Sequence, residues 1–156
     1  MLSGDAAAAE SNTDESSEPS RVIAFHSAQR WQLHFNSSKQ LNKLVSLFTL
    51  SSTSGLRTFN AVEIVAMVVD FSATWCGPCK FMEPVFNNLA AKYTDVDFVK
   101  IDVDELSDIS REFGVQAMPT FLMLKQGKEV ERVIGAKKDE LEQKIRKHRE
   151  APKFAA

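Results

Sequence analysis

Cysteine is scarce in this chain. The 156 residues contain two cysteines, Cys76 and Cys79, which lie three positions apart. A secreted domain held together by disulfides usually carries more cysteines, spread widely along the chain. Two close thiols in an otherwise cysteine-free chain instead predict a reducing compartment and a working redox pair. A zinc site is not expected, because zinc takes about four ligands and the histidines His26, His34 and His148 are scattered.

Long apolar runs and large fields of one charge are also missing. No stretch of about 18 apolar residues occurs, so no membrane span is expected. The 19 basic and 21 acidic residues nearly cancel, and no aromatic platform accompanies the basic residues near the C-terminus, so nucleic-acid binding is not expected. The N-terminus lacks a secretory signal, has no arginine before Arg21 and has no glycine after Met1. These absences predict a cytoplasmic protein without a transit peptide or a myristoyl group.

Composition divides the chain into a tail and a single domain. Residues 1–20 contain five acidic residues and no basic residue, and are otherwise mostly alanine and serine. Such a segment buries too little apolar surface to offset its ordering entropy, which predicts a disordered acidic tail. The domain is expected at 21–150, with a flexible C-terminus at 151–156, and the length fits one domain.

The hydrophobic pattern predicts alternating strands and helices. Strands are expected at 22–26, 64–71, 97–103, 120–125 and 130–134, and helices at 28–43, 76–93, 106–113 and 137–149. The alternating first part implies parallel crossovers, and the turn Gln126-Gly127-Lys128 joins the last two strands in an antiparallel hairpin. This order predicts an α/β fold with a mixed central sheet flanked by helices on both faces. In the second helix the pattern places Phe81, Val85 and Leu89 on one stripe, with a kink at Pro84.

The two cysteines stand where a strand passes into a helix, in the run Trp75-Cys76-Gly77-Pro78-Cys79-Lys80. Disulfide exchange needs a thiolate that attacks and a second thiol that resolves the mixed disulfide. The unpaired N–H groups and the positive dipole end of a helix N-terminus favour the thiolate of Cys76. Cys79, one turn further in, is expected to be shielded as a thiol. An inert structural disulfide is disfavoured, because so short a loop gives little entropic stabilisation.

Asp70 is an acidic residue inside the apolar strand that precedes this motif. It is either a solvated strand end or a desolvated carboxyl whose pKa is raised by burial. In the second case it can exchange a proton with Cys79 through a water molecule. Lys100, on the neighbouring predicted strand, is a candidate countercharge, and the alternative is an ordinary lysine at a strand edge.

Three segments together resemble the thioredoxin family. The run from Val68 to Lys80 resembles the family's active-site segment, and residues 98–104 and 118–121 resemble its later blocks in order and spacing. Residues 21–44 and 67–150 are similar to the plant h-type subgroup. The resemblance implies a thioredoxin fold and a monomeric protein-disulfide reductase that acts on disulfide-containing target proteins. It also implies re-reduction by a thioredoxin reductase, a role in electron transport and cell redox homeostasis, and no metal or bound cofactor.

The resemblance also assigns roles to residues. Cys76 resembles the attacking cysteine, Cys79 the resolving one, and Asp70 the buried carboxyl beneath them. Pro119 resembles the cis-proline that faces the disulfide, which would leave the backbone of Met118 able to pair with an extended substrate peptide. The remaining residues expected around this surface are Trp75, Gly77, Pro78, Gly135 and Ala136.

Two other functions compete with reduction. One is a secretory oxidase or isomerase, which the Gly77-Pro78 dipeptide disfavours because those relatives usually carry Gly-His between the cysteines. The other is a binding module that keeps the fold without turnover.

Residues 45–66 form an atypical insertion, because Leu44 runs directly into Met67 in the family pattern. It is either a genuine insertion or the product of splicing or gene-model error. Lengthening a surface loop costs only about 0.6 kcal/mol per doubling, and the loop is expected around 46–60, remote from the cysteines. We therefore expect the full chain to reduce insulin, limited proteolysis to cut here first, and deletion of 45–66 to improve solubility. Unchanged protease sensitivity and solubility after the deletion, or a full chain inactive where the deletion variant is active, would contradict this.

Overall fold

The computed structural model of the protein describes residues 19–48 and 66–149, with side chains described except at 41–48. The predicted acidic tail up to residue 18, the part of the insertion at 49–65 and the predicted C-terminal segment lie outside the described residues. Among the described residues, no helix is both long and apolar enough to cross a membrane.

The described residues form the predicted order of strands and helices, β-α-β-α-β-α-β-β-α. The elements are β1 (Ile23–Phe25), α1 (Ala28–Phe48), β2 (Ala66–Ser72), α2 (Gly77–Lys92), β3 (Asp97–Asp102), α3 (Ser107–Glu112), β4 (Thr120–Lys125), β5 (Lys128–Ile134) and α4 (Lys138–Arg149). The described strands form one sheet in the order β1-β3-β2-β4-β5. β1 and β2 run parallel to β3, whereas β4 runs antiparallel to β2 and to β5. The predicted mixed sheet and C-terminal hairpin are confirmed.

β2 lies at the centre of the sheet and is buried along its whole length. Its side chains alternate between two apolar cores. Val68 packs with residues of α2 and α4, including Phe86 and Leu141. Met67 and Phe71 lie in the other core, against α1 and α3 residues such as Trp31 and Ile109. The sheet is therefore covered on both faces, and the carboxyl end of β2 delivers the cysteine motif to the start of α2.

Helix α1 is longer than predicted. It continues through Phe48, into the segment taken as the insertion, because no glycine or proline lies between Leu44 and Phe48 to end it. The predicted loop therefore does not begin at 46. Ala66 also belongs to the sheet, since it is 5 % exposed and pairs with Lys125. A deletion that spares both elements covers 49–65.

The prediction that Phe81 belongs to the buried stripe of α2 is wrong. That side chain is 62 % exposed, and Val85 is only half-buried, although Leu89 is buried as expected. The buried residues are Cys79, Met82, Phe86, Leu89 and Ala90. Cys79 lies on this buried face, since the buried residues Met82, Phe86 and Leu89 follow it by three, seven and ten positions.

Candidate active site

Cys76 and Cys79 form a disulfide at the start of α2, with their Cα atoms 5.3 Å apart. Cys76 is the N-cap of the helix, and the Cys79 backbone N–H donates to its Sγ atom at 3.2 Å. Pro78 is tolerated in the first turn, where its missing N–H has no helical partner to lose. In the reduced protein the same sulfur would be the thiolate, and the N–H and the helix dipole would stabilise its negative charge.

Both cysteines are buried in this oxidised state. Cys76 is 5 % exposed and Cys79 is 6 % exposed, and both pack with Ala73, Val103 and Met118. Cys79 is shielded from solvent, as expected, and Cys76 is shielded to the same degree. Because so little of either sulfur is open, a target must bring its disulfide against the surface formed around them.

Asp70 is the desolvated carboxyl of the two alternatives. It is 3 % exposed, and its Oδ1 atom has no hydrogen-bond partner among the described residues. Burial raises the pKa of Asp70 to about 7, while the nearby Lys100 charge lowers that pKa and Glu83 raises it. Asp70 alternates with Met67, Val69 and Phe71 along β2, so it lies on the sheet face covered by α2. A carboxyl under the cysteine helix with a pKa near neutrality is suited to accept and return a proton.

Lys100 lies beside Asp70 in the parallel register of β2 and β3. Its Nζ atom donates to Oε1 of Glu83 on α2 at 3.1 Å, so its direct partner is Glu83. Sequence reasoning singled out Lys100 and missed Glu83. The available signal was helical spacing, since Glu83 follows Cys79 by four positions and therefore lies one turn further along the same face.

The surface beside the disulfide contains the residues expected for substrate contact. The Trp75 side chain is 66 % exposed, and its Nε1–H donates to Oδ2 of Asp104 at 2.8 Å. The Met118–Pro119 peptide bond is cis, as the resemblance implied. The Gly135 N–H donates to the Pro119 carbonyl at 2.9 Å, which brings the end of β5 next to that proline. Gly77, Pro78 and Ala136 are exposed.

A pocket of about 460 Å³ opens next to the disulfide. It lies at the carboxyl ends of β1, β2 and β3 and reaches Cys79 at the start of α2. Its titratable lining residues are His26, Lys80, Glu83, Lys100, Asp102 and Glu105. The pocket gives solvent a route to the interior side of the cysteine pair. Among the described residues, no group of histidine, cysteine and carboxylate side chains is arranged to hold a metal ion.

Comparison with known proteins agrees with this geometry. The family model described as Thioredoxin matches residues 57–147. The chain belongs to the thioredoxin family. Thioredoxins are thiol–disulfide oxidoreductases, and the Cys76–Cys79 pair of this thioredoxin occupies the position of their active-site disulfide.

Plant proteins of the h type are among the relatives of this thioredoxin, as predicted. It is 54 % identical to thioredoxin H2 of Arabidopsis thaliana over 133 residues, which are 85 % of this chain and 84 % of that protein. It is 47 % identical to thioredoxin H2-2 of Oryza sativa subsp. japonica, over 81 % of this chain and 78 % of that one. The crystal structure of thioredoxin NaTrxh from Nicotiana alata matches with a TM-score of 0.70 and 70 % identity, over 86 % of this chain and 97 % of that chain.

Proposed function

We propose that this thioredoxin reduces disulfide bonds in other proteins and is itself re-reduced by a thioredoxin reductase. The observation that carries the proposal is the Cys76–Cys79 disulfide at the N-terminus of α2, with the Cys79 N–H directed at the Cys76 sulfur. Family membership supports it, since thioredoxins act on disulfide-containing targets. A monomeric state and residence in the cytoplasm stay predictions from the sequence.

The first chemical step belongs to Cys76. Its thiolate attacks one sulfur of the target disulfide, which forms a mixed disulfide and releases the second target sulfur as a thiolate. The positive end of the helix dipole at the N-terminus of α2 favours the negatively charged thiolate of the attacking cysteine. Trp75 and the Met118–Pro119 segment flank the sulfur. Among the described residues no backbone hydrogen bond uses the Met118 N–H or carbonyl, so both can pair with an extended target peptide.

The second step belongs to Cys79 and Asp70. Cys79 transfers its proton to the Asp70 carboxylate through a water molecule and then attacks the Cys76 sulfur. The Cys76–Cys79 disulfide forms, and the remaining target sulfur leaves as a thiolate that takes up a proton. Two electrons have then passed from the dithiol to the target. The pKa of about 7 lets Asp70 both accept this proton and return it near neutral pH.

Insulin reduction tests the proposal against its two rivals. With NADPH and a thioredoxin reductase, a reductase precipitates the insulin B chain rapidly and consumes NADPH in step. A folded protein that shows no turnover in this assay would instead be a binding module. Oxidation of a reduced, unfolded ribonuclease in preference to insulin reduction would indicate an oxidase or isomerase.

A further inference from the structure

Glu83 lies where its charge can affect both the resolving cysteine and the buried acid. It follows Cys79 by one helical turn on α2, and both residues line the pocket together with Lys100. Its side chain is 54 % exposed, while that of Lys100 is 34 % exposed. The ion pair therefore lies where the pocket meets solvent, above the buried Asp70.

Two carboxyl groups are within reach of the Lys100 charge. Asp70 pairs with Lys100 in register across two parallel strands, where paired side chains lie on the same face of the sheet. Nevertheless the Lys100 ammonium donates to Glu83, and Oδ1 of Asp70 has no partner among the described residues. The structure thus shows Lys100 bound to the outer carboxylate and not to the inner one.

We propose that Glu83 is a positioning residue: it holds the Lys100 ammonium in an outer ion pair and keeps it from closing onto Asp70. Asp70 then stays free to exchange a proton with Cys79. The inference rests on the proton-transfer role proposed for Asp70 above. If Glu83 is neutralised, Lys100 turns inward and stabilises the Asp70 carboxylate.

Of the other titratable groups around the pocket, His26, Asp102 and Glu105 have partners of their own. His26 pairs with Glu105 at 2.7 Å, and Oδ1 of Asp102 accepts the backbone N–H groups of Asp104 and Glu105. Lys80 also lines the pocket, on the first turn of α2.

On the other side of β2, the β4 residue paired with Asp70 is the apolar Phe121. The two charges shift the pKa of Asp70 in the directions that the proposal requires, because Lys100 lowers this pKa and Glu83 raises it.

The variant Glu83→Gln tests the proposal through the pH titration of Asp70. The titration is monitored by carbon-13 NMR of the Asp70 carboxyl group in the oxidised full-length protein. The midpoint is expected to move to lower pH by about 0.5–1 unit, a shift typical of one ion pair near a surface. The acid limb of the pH–rate profile for insulin reduction should move with it.

Glu83→Asp, which keeps the charge, should restore most of the original midpoint. Glu112→Gln removes the same charge from the exposed end of α3, outside the pocket, and should leave the midpoint unchanged.

Repeating Glu83→Gln in a Lys100→Met background shows whether Glu83 acts on Asp70 by holding Lys100 or only through its own negative charge. If Glu83 acts by holding Lys100, Glu83→Gln shifts the Asp70 midpoint much less when Lys100 is absent. An equal shift in both backgrounds, or no shift in either, would overturn the inference. Its failure is distinguishable from that of the proposed function, because the wild-type protein either reduces insulin or does not, whatever the Asp70 midpoint in the variants.

Discussion

Replacing Cys79 with serine is expected to abolish catalytic turnover and to trap target proteins on Cys76. The attacking thiolate and its helix N-terminus are unchanged, so the mixed disulfide still forms. The resolving thiol is gone, so the complex no longer collapses. We expect insulin reduction to fall by at least about a hundredfold, the lower range of losses when a nucleophilic group is removed.

The matched control is Cys76→Ser. Serine at position 76 removes the nucleophile itself, so neither turnover nor a trapped complex is expected. Non-reducing gel electrophoresis after incubation with a disulfide-containing target distinguishes the two variants, since only the Cys79→Ser protein should run as a covalent adduct that dithiothreitol releases. Equal trapping by both variants would show that the roles of the cysteines are wrongly assigned.

Replacing Asp70 with asparagine is expected to slow resolution while making the folded protein more stable. Asparagine keeps the shape of the side chain but cannot accept the Cys79 proton. Removing a positioned acid–base group costs about a hundredfold or more in rate. The loss should appear in the decay of the mixed disulfide, measured by rapid quenching, and not in the initial attack by Cys76. Normal turnover from about pH 6 to about pH 8 would contradict the proton-transfer role.

The stability effect of the same variant depends on pH in a defined direction. Asp70 has an ordinary pKa of 3.8 and a folded-state pKa of about 7. As the pH rises between these two values, the unfolded chain loses the proton while the folded protein retains it, so wild-type stability falls. The loss is complete above about pH 7 and amounts to about 4 kcal/mol.

Urea unfolding of the oxidised protein measures this difference. Asp70→Asn should be more stable than the wild type at about pH 8 and nearly equal to it at about pH 4. Equal stability of the two proteins at both pH values would show that the carboxyl is not desolvated in solution.

Much of the fold could be predicted because local signals agreed with the tertiary structure. The apolar run of β2 is typical of a strand covered on both faces, and β2 is the central strand. The Gln126-Gly127 turn adopts positive φ values of 52° and 73°, which suit a two-residue hairpin, and β4 and β5 pair around it.

The errors arose where tertiary contacts decide between local alternatives. Phe81 is as apolar as Phe86, and only the packing of α2 on the sheet shows that the buried face carries Cys79, Met82 and Phe86 and leaves Phe81 exposed. The end of α1 was misplaced because no glycine or proline lies between Leu44 and Phe48, so nothing in the sequence ends the helix at Leu44, where the family spacing places the start of the insertion.

The candidate site likewise contains residues that the sequence could predict and contacts that it could not. The buried Asp70 could be inferred from an acid within an apolar strand. Helical spacing could place Glu83 one turn beyond Cys79, but its ion pair could not be predicted, because a glutamate on a helix is usually solvated and its partner Lys100 comes from another element. The hydrogen bond from Trp75 to Asp104 was likewise beyond prediction, since it joins the cysteine motif to the loop that follows β3.

The reduction potential of the Cys76–Cys79 couple tests the central claim most directly. Equilibration of the full-length protein with glutathione or dithiothreitol buffers, followed by thiol alkylation, gives the potential without any assumption about targets. A protein-disulfide reductase of this family should give a value near the one established for thioredoxin, about −270 mV. A value between about −180 and −120 mV, the range of protein disulfide isomerase and DsbA, would show that the couple is an oxidant or an isomerase and would contradict the account.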